Sequence, residues 1–136
     1  MYTLKEPISY EEFLRRSREG IVTESGNCPI TPVLTLFQGK WKNQVIYELF
    51  CCGTMRFGEL KKGLQGITNT MLTSALRDLE ADGLVQRKQF NEIPPHVEYS
   101  LTEKGLDLQP VLYAMLNWGC KYERDFYGVS TEKLEE

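Results

Sequence analysis

Hydrophobic positions along this chain change period several times, and each change marks an element. Between Asn69 and Asp82, Leu72, Ala75, Leu76 and Leu79 recur at three- and four-residue spacing, the period of one helix face. Thr68 precedes the run as an N-cap, and Gly83 follows it at the left-handed position past a helix end. From Leu84 the period becomes two. Leu84–Phe90 and Val97–Leu101 read as paired strands, with Val97, Tyr99 and Leu101 on one face and His96, Glu98 and Ser100 on the other. Asn91 to Pro95 connect them, and Pro94 and Pro95 forbid ladder bonds there. The lone His96 is expected on the surface.

The same reading extends to both ends. Ser9 caps a short helix from Tyr10 to Glu19, with Glu11 and Glu12 in its first turn and Arg15, Arg16 and Arg18 later. Residues 1–27 form an N-terminal helical extension, with Gly20 to Asn27 as linker. Thr31 with Pro32 starts the next helix, or Cys28 with Pro29 does, and it runs to about Gln38 with Leu34 and Phe37 inward. Trp41 to Phe50 is a core helix with Trp41, Val45 and Leu49 in one row and Ile46 and Phe50 beside it. Met55 to Phe57 suits a very short strand, and Glu59 to Leu64 a helix burying Leu60 and Leu64. Thr102 caps a long last helix reaching about Tyr127, which Pro110 kinks or delays. Leu112, Met115, Trp118 and Tyr122 give that helix an apolar stripe that a small domain has little room to bury, so it is expected in a dimer interface. Residues 129–136 are expected to be a disordered tail. The fold class is mainly α with a small β-hairpin wing. It is a winged helix-turn-helix at residues 28–101, with dimerisation helices at the N-terminus and at 102–128.

The polar face of the helix after Thr68 carries the candidate chemistry. Thr70, Thr73, Ser74 and Arg77 lie opposite the apolar stripe, and Asn69 opens the helix beside them. Small hydroxyls allow close backbone approach, and arginine can bond bidentately to guanine. These five residues are the expected base-reading set. The net charge of −3 argues mildly against nucleic acid. Its distribution restores the case, because residues 1–39, 40–88 and 89–136 carry −1, +3 and −5. Positive charge thus gathers around the candidate recognition helix.

No apolar run approaches the roughly 18–20 residues of a membrane span. The N-terminus is polar and charged, unlike a secretory signal, so a cytoplasmic protein is expected. Cys28, Cys51, Cys52 and Cys120 have no zinc-ligand spacing and read as free thiols, with Cys51 and Cys52 expected to be buried. His96 has no nucleophile partner in recognisable order, and no Gly-rich phosphate loop is present. No catalytic residue, cofactor or metal is expected. The sequence leaves any small-molecule effector unnamed.

Particular segments then carry a resemblance. They are Cys28-Pro29-Ile30, Gly39-Lys40-Trp41, Arg56-Phe57 with Glu59-Leu60, Leu72-Thr73, Leu76-Arg77-Asp78-Leu79-Glu80, Asp82-Gly83-Leu84-Val85 with Arg87, Val97 to Thr102 with Gly105, and Trp118-Gly119. Over residues 28 to about 119 the chain resembles the HxlR-type regulators, winged-helix transcription factors related to the MarR group. The resemblance implies a homodimeric regulator of transcription, most often a repressor, that binds double-stranded DNA at a pseudo-palindromic operator. It implies phosphate contacts from Lys40, Arg56, Lys61 and Lys62, and wing contacts from Arg87 and Lys88. It also implies a sensing role for Cys28, since some members detect electrophiles or oxidants with a cysteine at that place. A winged helix that binds protein and not DNA is the alternative, and a thiol enzyme is a distant third.

Overall fold

The computed structural model describes residues 2–3, 6–22 and 28–122, with side chains for 6–20 and 28–122. The chain divides into two compact units, residues 1–43 and 44–136. In the first, a two-residue strand β1 (Tyr2–Thr3) pairs in parallel with β2 (Ile21–Val22), so the stretch expected to be a linker contains a strand. Between them α1 (Tyr10–Ser17) begins where the Ser9 hydroxyl accepts from the Glu12 N–H at 3.1 Å. Glu12 then pairs with both Arg15 and Arg16, one turn on.

Helix α2 (Thr31–Leu36) departs from expectation. Ile30 is its N-cap and makes no side-chain cap bond, so Thr31 is already helical. Leu34 is 57% exposed, where an inward position was expected. Leu36 and Phe37 are half-buried, so the covered side of this short helix lies at its end and not at Leu34.

The second unit holds the core. Helix α3 (Lys40–Cys52) begins in the first unit and buries Val45, Ile46 and Leu49 in the second. Strand β3 (Met55–Arg56) leads directly into α4 (Phe57–Gly63), whose start is fastened by the Glu59 carboxylate accepting from the Arg56 N–H at 3.1 Å. Leu60, Leu64 and Ile67 are buried. Gly66, at φ +86°, turns the chain into α5 (Asn69–Ala81). Past Asp82 the Gly83 N–H bonds to the Glu80 carbonyl and the Leu84 N–H to the Leu79 carbonyl, with Gly83 at φ +75°. That double closure stops the helix and aims the chain into the sheet.

The sheet has the order β3-β5-β4, all antiparallel, with β4 (Val85–Phe90) and β5 (His96–Leu101) forming the wing. Val85, Tyr99 and Leu101 face the core and are buried. Thr102 does not cap one long helix. It caps a single-turn α6 (Glu103–Leu106), and α7 (Gln109–Tyr122) starts afresh with Pro110 in its first turn. Proline has no N–H to bond back to the preceding turn, so the break falls where its missing donor is harmless. Residues expected to extend this helix to 127, and the tail at 129–136, lie outside the described residues.

Candidate nucleic-acid interface

Helix α5 sorts its residues sharply. Leu72, Ala75, Leu76 and Leu79 are 6% exposed or less. At some 1.5–3 kcal/mol per buried apolar side chain, this stripe fixes which face looks outward. The outward face presents Asn69, Thr70, Ser74 and Arg77, all exposed, with Thr73 half-buried between them. Together with Asp78 they line a shallow concavity of about 420 Å³. All five expected base-reading residues therefore lie on one open face of one helix. The Thr68 hydroxyl, accepting from the Met71 N–H at 3.1 Å, holds the start of that helix in register. Asp78 was not singled out from the sequence; its place one turn after Ser74 on the polar face was the available signal.

The basic residues fall in three places. Lys61 and Lys62 are exposed on the last turn of α4, just before the turn into α5. Arg87 and Lys88 are exposed on β4. They point to opposite faces of the wing: Arg87 pairs in register with Tyr99 on the core-facing side, and Lys88 with Glu98 on the outer side. Arg56 sits opposite Glu98 from β3, so it shares the outer face. Lys40 belongs to the first unit, where its ammonium lies 4.7 Å from the centre of the Trp41 ring.

The wing tip differs from expectation at His96. Its side chain is only 15% exposed, stacked on Phe90 with ring centres 4.6 Å apart, and not on the open surface. The two residues are direct partners in the ladder, which places both rings on one face.

Helix α7 leaves a large apolar surface open. Tyr113 is 67% exposed, Trp118 60%, Tyr122 59% and Met115 47%, while Leu112 is half-buried. With Tyr47 and Phe50 of α3, this helix borders an apolar groove of about 640 Å³. The aromatics Tyr113 and Trp118 are thus surface, not core.

Cys28 is exposed. The Ile30 N–H, then the Thr31 hydroxyl and N–H, hold its thiol below the usual value. Cys28 lies two residues before the helix cap, and these local donors act on it directly. Cys51 and Cys52 are both exposed, against expectation. The last turn of α3 runs past Leu49, its last buried residue, and carries them out of the core. Among the described residues no group of three or more His, Cys, Asp or Glu can hold a metal ion, and no helix is long and apolar enough to cross a membrane.

A helix pair ending in an open polar recognition face, followed by a β-hairpin on the same sheet, defines a winged helix-turn-helix DNA-binding protein. The model of the HxlR-like helix-turn-helix family matches residues 36–126, and this chain belongs to that family. It is a transcriptional regulator and not an enzyme. It is similar to the HTH-type transcriptional regulator YdeP of Bacillus subtilis, 46% identical over 96 residues that cover 71% of this chain and 74% of YdeP. Among solved structures it is similar to the redox regulator HypR in its oxidized form, 43% identical with a TM-score of 0.63, covering 71% of this chain and 98% of that one. It is also similar to the reduced form of the transcriptional regulator YodB from Bacillus subtilis, 32% identical with a TM-score of 0.65, covering 71% and 94%.

Proposed function

We propose that this protein is a homodimeric repressor that binds a pseudo-palindromic operator and releases it when Cys28 is oxidised or alkylated. The observation that carries the reading is the α5 face, where Asn69, Thr70, Ser74 and Arg77 stand exposed, with Thr73 half-buried among them, above a buried apolar stripe. Asn69, Thr70, Thr73, Ser74 and Arg77 read bases in the major groove. Lys61 and Lys62 at the start of the turn, Arg56, Arg87 and Lys88 on the sheet, and Lys40 bind phosphates and set the register.

The exposed apolar side chains of α7 support a second copy as the occupant of that face. Met115, Trp118 and Tyr122 lie along one side of the helix, and soluble monomers rarely expose so large an apolar patch. Two-fold pairing through such a face places two α5 helices for the two half-sites of a palindrome. Residues 1–27 and 102–128 supply the dimerisation elements, and residues 28–101 the DNA-binding core. The favoured thiolate of Cys28, and the likeness to redox regulators, support the sensing role.

The test is selection of duplexes from a random-sequence pool by the reduced protein, then a titration of the selected duplex against an unrelated one at about 150 mM salt. A preference of about 10³-fold or more, with a two-fold symmetric selected sequence, is expected. Diamide should abolish it, dithiothreitol should restore it, and Cys28→Ser should resist. Equal, weak binding to all sequences would instead favour a protein-interaction module.

A further inference from the structure

His96 is the only histidine in the chain, and it sits between two carboxylates. Its Nδ1 lies 3.8 Å from Glu92 Oε2, at the loop tip, and its Nε2 lies 3.4 Å from Glu98 Oε1, two residues along β5. Phe90, stacked at 12° between ring planes, fixes the imidazole's orientation. A neutral imidazole carries one N–H, so it can donate to only one of these carboxylates while its other nitrogen turns a lone pair toward the second. Only the imidazolium presents a donor to both. The remaining charges facing this cluster are Lys88, opposite Glu98 on β4 with its ammonium 5.0 Å from the Phe90 ring centre, and Arg56, opposite Glu98 on β3. Arg87 is on the opposite face of the wing.

We propose that His96, Glu92 and Glu98 form a pH-responsive clamp that tightens DNA binding as the pH falls. The proposal rests on the DNA-binding role of the wing. With His96 neutral, Glu92 and Glu98 place two negative charges on the wing's outer face, where they oppose the phosphate backbone. Protonation offsets one of them and ties the loop tip to β5 through both ring nitrogens. Histidine is the side chain whose charge ordinarily changes between pH 5 and 8. The sign follows: the added positive charge is present at the acid end of the range and lost as pH rises.

The experiment measures Kd at pH 5.8 and 7.5 on a duplex selected by the protein from a random-sequence pool, in dithiothreitol and at constant ionic strength. The wild type is expected to bind roughly three- to tenfold more tightly at pH 5.8, the size of one charge contact at the backbone. His96→Gln should show no such gain. Glu92→Gln should bind at pH 7.5 nearly as tightly as the wild type does at pH 5.8. An equal pH dependence in wild type and His96→Gln overturns the proposal. A second measurement follows the imidazole, the Phe90 ring and the Glu98 carboxyl by NMR across the same range without DNA. The signals of all three should move together, and Phe90 or Glu98 signals that stay still while those of the imidazole move overturn the clamp. If no duplex is selected, the DNA-binding role itself fails, and the NMR result alone decides whether the clamp exists.

Discussion

Replacing Gly105 by alanine tests the joint between wing and last helices. Gly105 is buried in α6, and a Cβ there would press directly on the Leu84 carbonyl oxygen. It would also come within 3.2 Å of both the Leu84 carbonyl carbon and Leu101 Cδ2. The neighbours have little freedom to yield. Leu84 is 1% exposed, and its carbonyl accepts from the Thr102 N–H at 3.0 Å. The Thr102 hydroxyl donates to the Gly83 carbonyl at 2.5 Å while accepting from the Gly105 N–H at 3.1 Å. Lys104 adds a bond to the Asp82 carbonyl at 2.7 Å. Overpacking of this kind costs about 1–3 kcal/mol. Loss of one well-made bond adds about 1 kcal/mol, and the better helix propensity of alanine returns up to about 1 kcal/mol. A net loss of about 1–3 kcal/mol lowers the melting temperature by roughly 4–15 °C for a chain of this size. Gly58→Ala is the control, because nothing lies within 4 Å of its Cβ position and it sits in α4. Thermal melts by circular dichroism at equal protein concentration should show Gly105→Ala well below wild type and Gly58→Ala level with it or slightly above. A Gly105→Ala melt within about 2 °C of wild type would refute the packing argument.

On the selected duplex, Arg77→Ala should cost about 1–3 kcal/mol and relax specificity, whereas Lys62→Ala should weaken selected and random duplexes alike; equal losses for Arg77→Ala on both would remove it from base reading. Thr68→Ala removes the α5 cap and should lower stability by about 1 kcal/mol, read by urea denaturation with an unchanged m-value. Timed alkylation with peptide mapping should find Cys28 the fastest of the four thiols, and Thr31→Val should slow it by removing one donor to the thiolate. The Glu12 carboxyl is held down to about 2 by its bonds to Arg15 and then Arg16. A carboxyl lowered on folding stabilises above its unfolded value and loses that contribution as pH falls through the folded one. The helix signal of the full chain, followed by circular dichroism, should therefore hold above about pH 4.5 and weaken as the pH falls toward 2, and the same fall should be smaller in Glu12→Gln.

Local chemistry explains which elements were readable in the chain itself. Helix α5 carries its cap at Thr68, its stop at Gly83 and an unmixed apolar stripe, so every signal agrees on one structure. The hairpin was equally plain, because the period of two switches on at a glycine stop and is broken by a double proline. The polar face followed from the buried one, since 100° per residue leaves only one place for Thr70, Thr73, Ser74 and Arg77. Where two signals competed, reading the chain went astray. Thr31-Pro32 looks like cap and first residue, yet Ile30 takes the cap position. Thr102 and Pro110 both mark helix starts, and the chain uses both, giving α6 and α7 in place of one helix.

What the sequence determined by itself was therefore the run of elements from α3 to β5, their order and the two faces of α5, because these depend on neighbours within a turn or two, whereas β1, β2 and the break between α6 and α7 were not read from it. Tertiary structure decided the rest. Val85, Tyr99 and Leu101 became core only when β5 settled between β3 and β4. His96 moved from a supposed surface position to a stacked one between two carboxylates because the register set Phe90 opposite it. Cys51 and Cys52, hydrophobic by type, emerged because the core ends at Leu49, one turn too soon to cover them. Burial is a property of what arrives from elsewhere in the chain, and no local pattern encodes the distance at which a core stops.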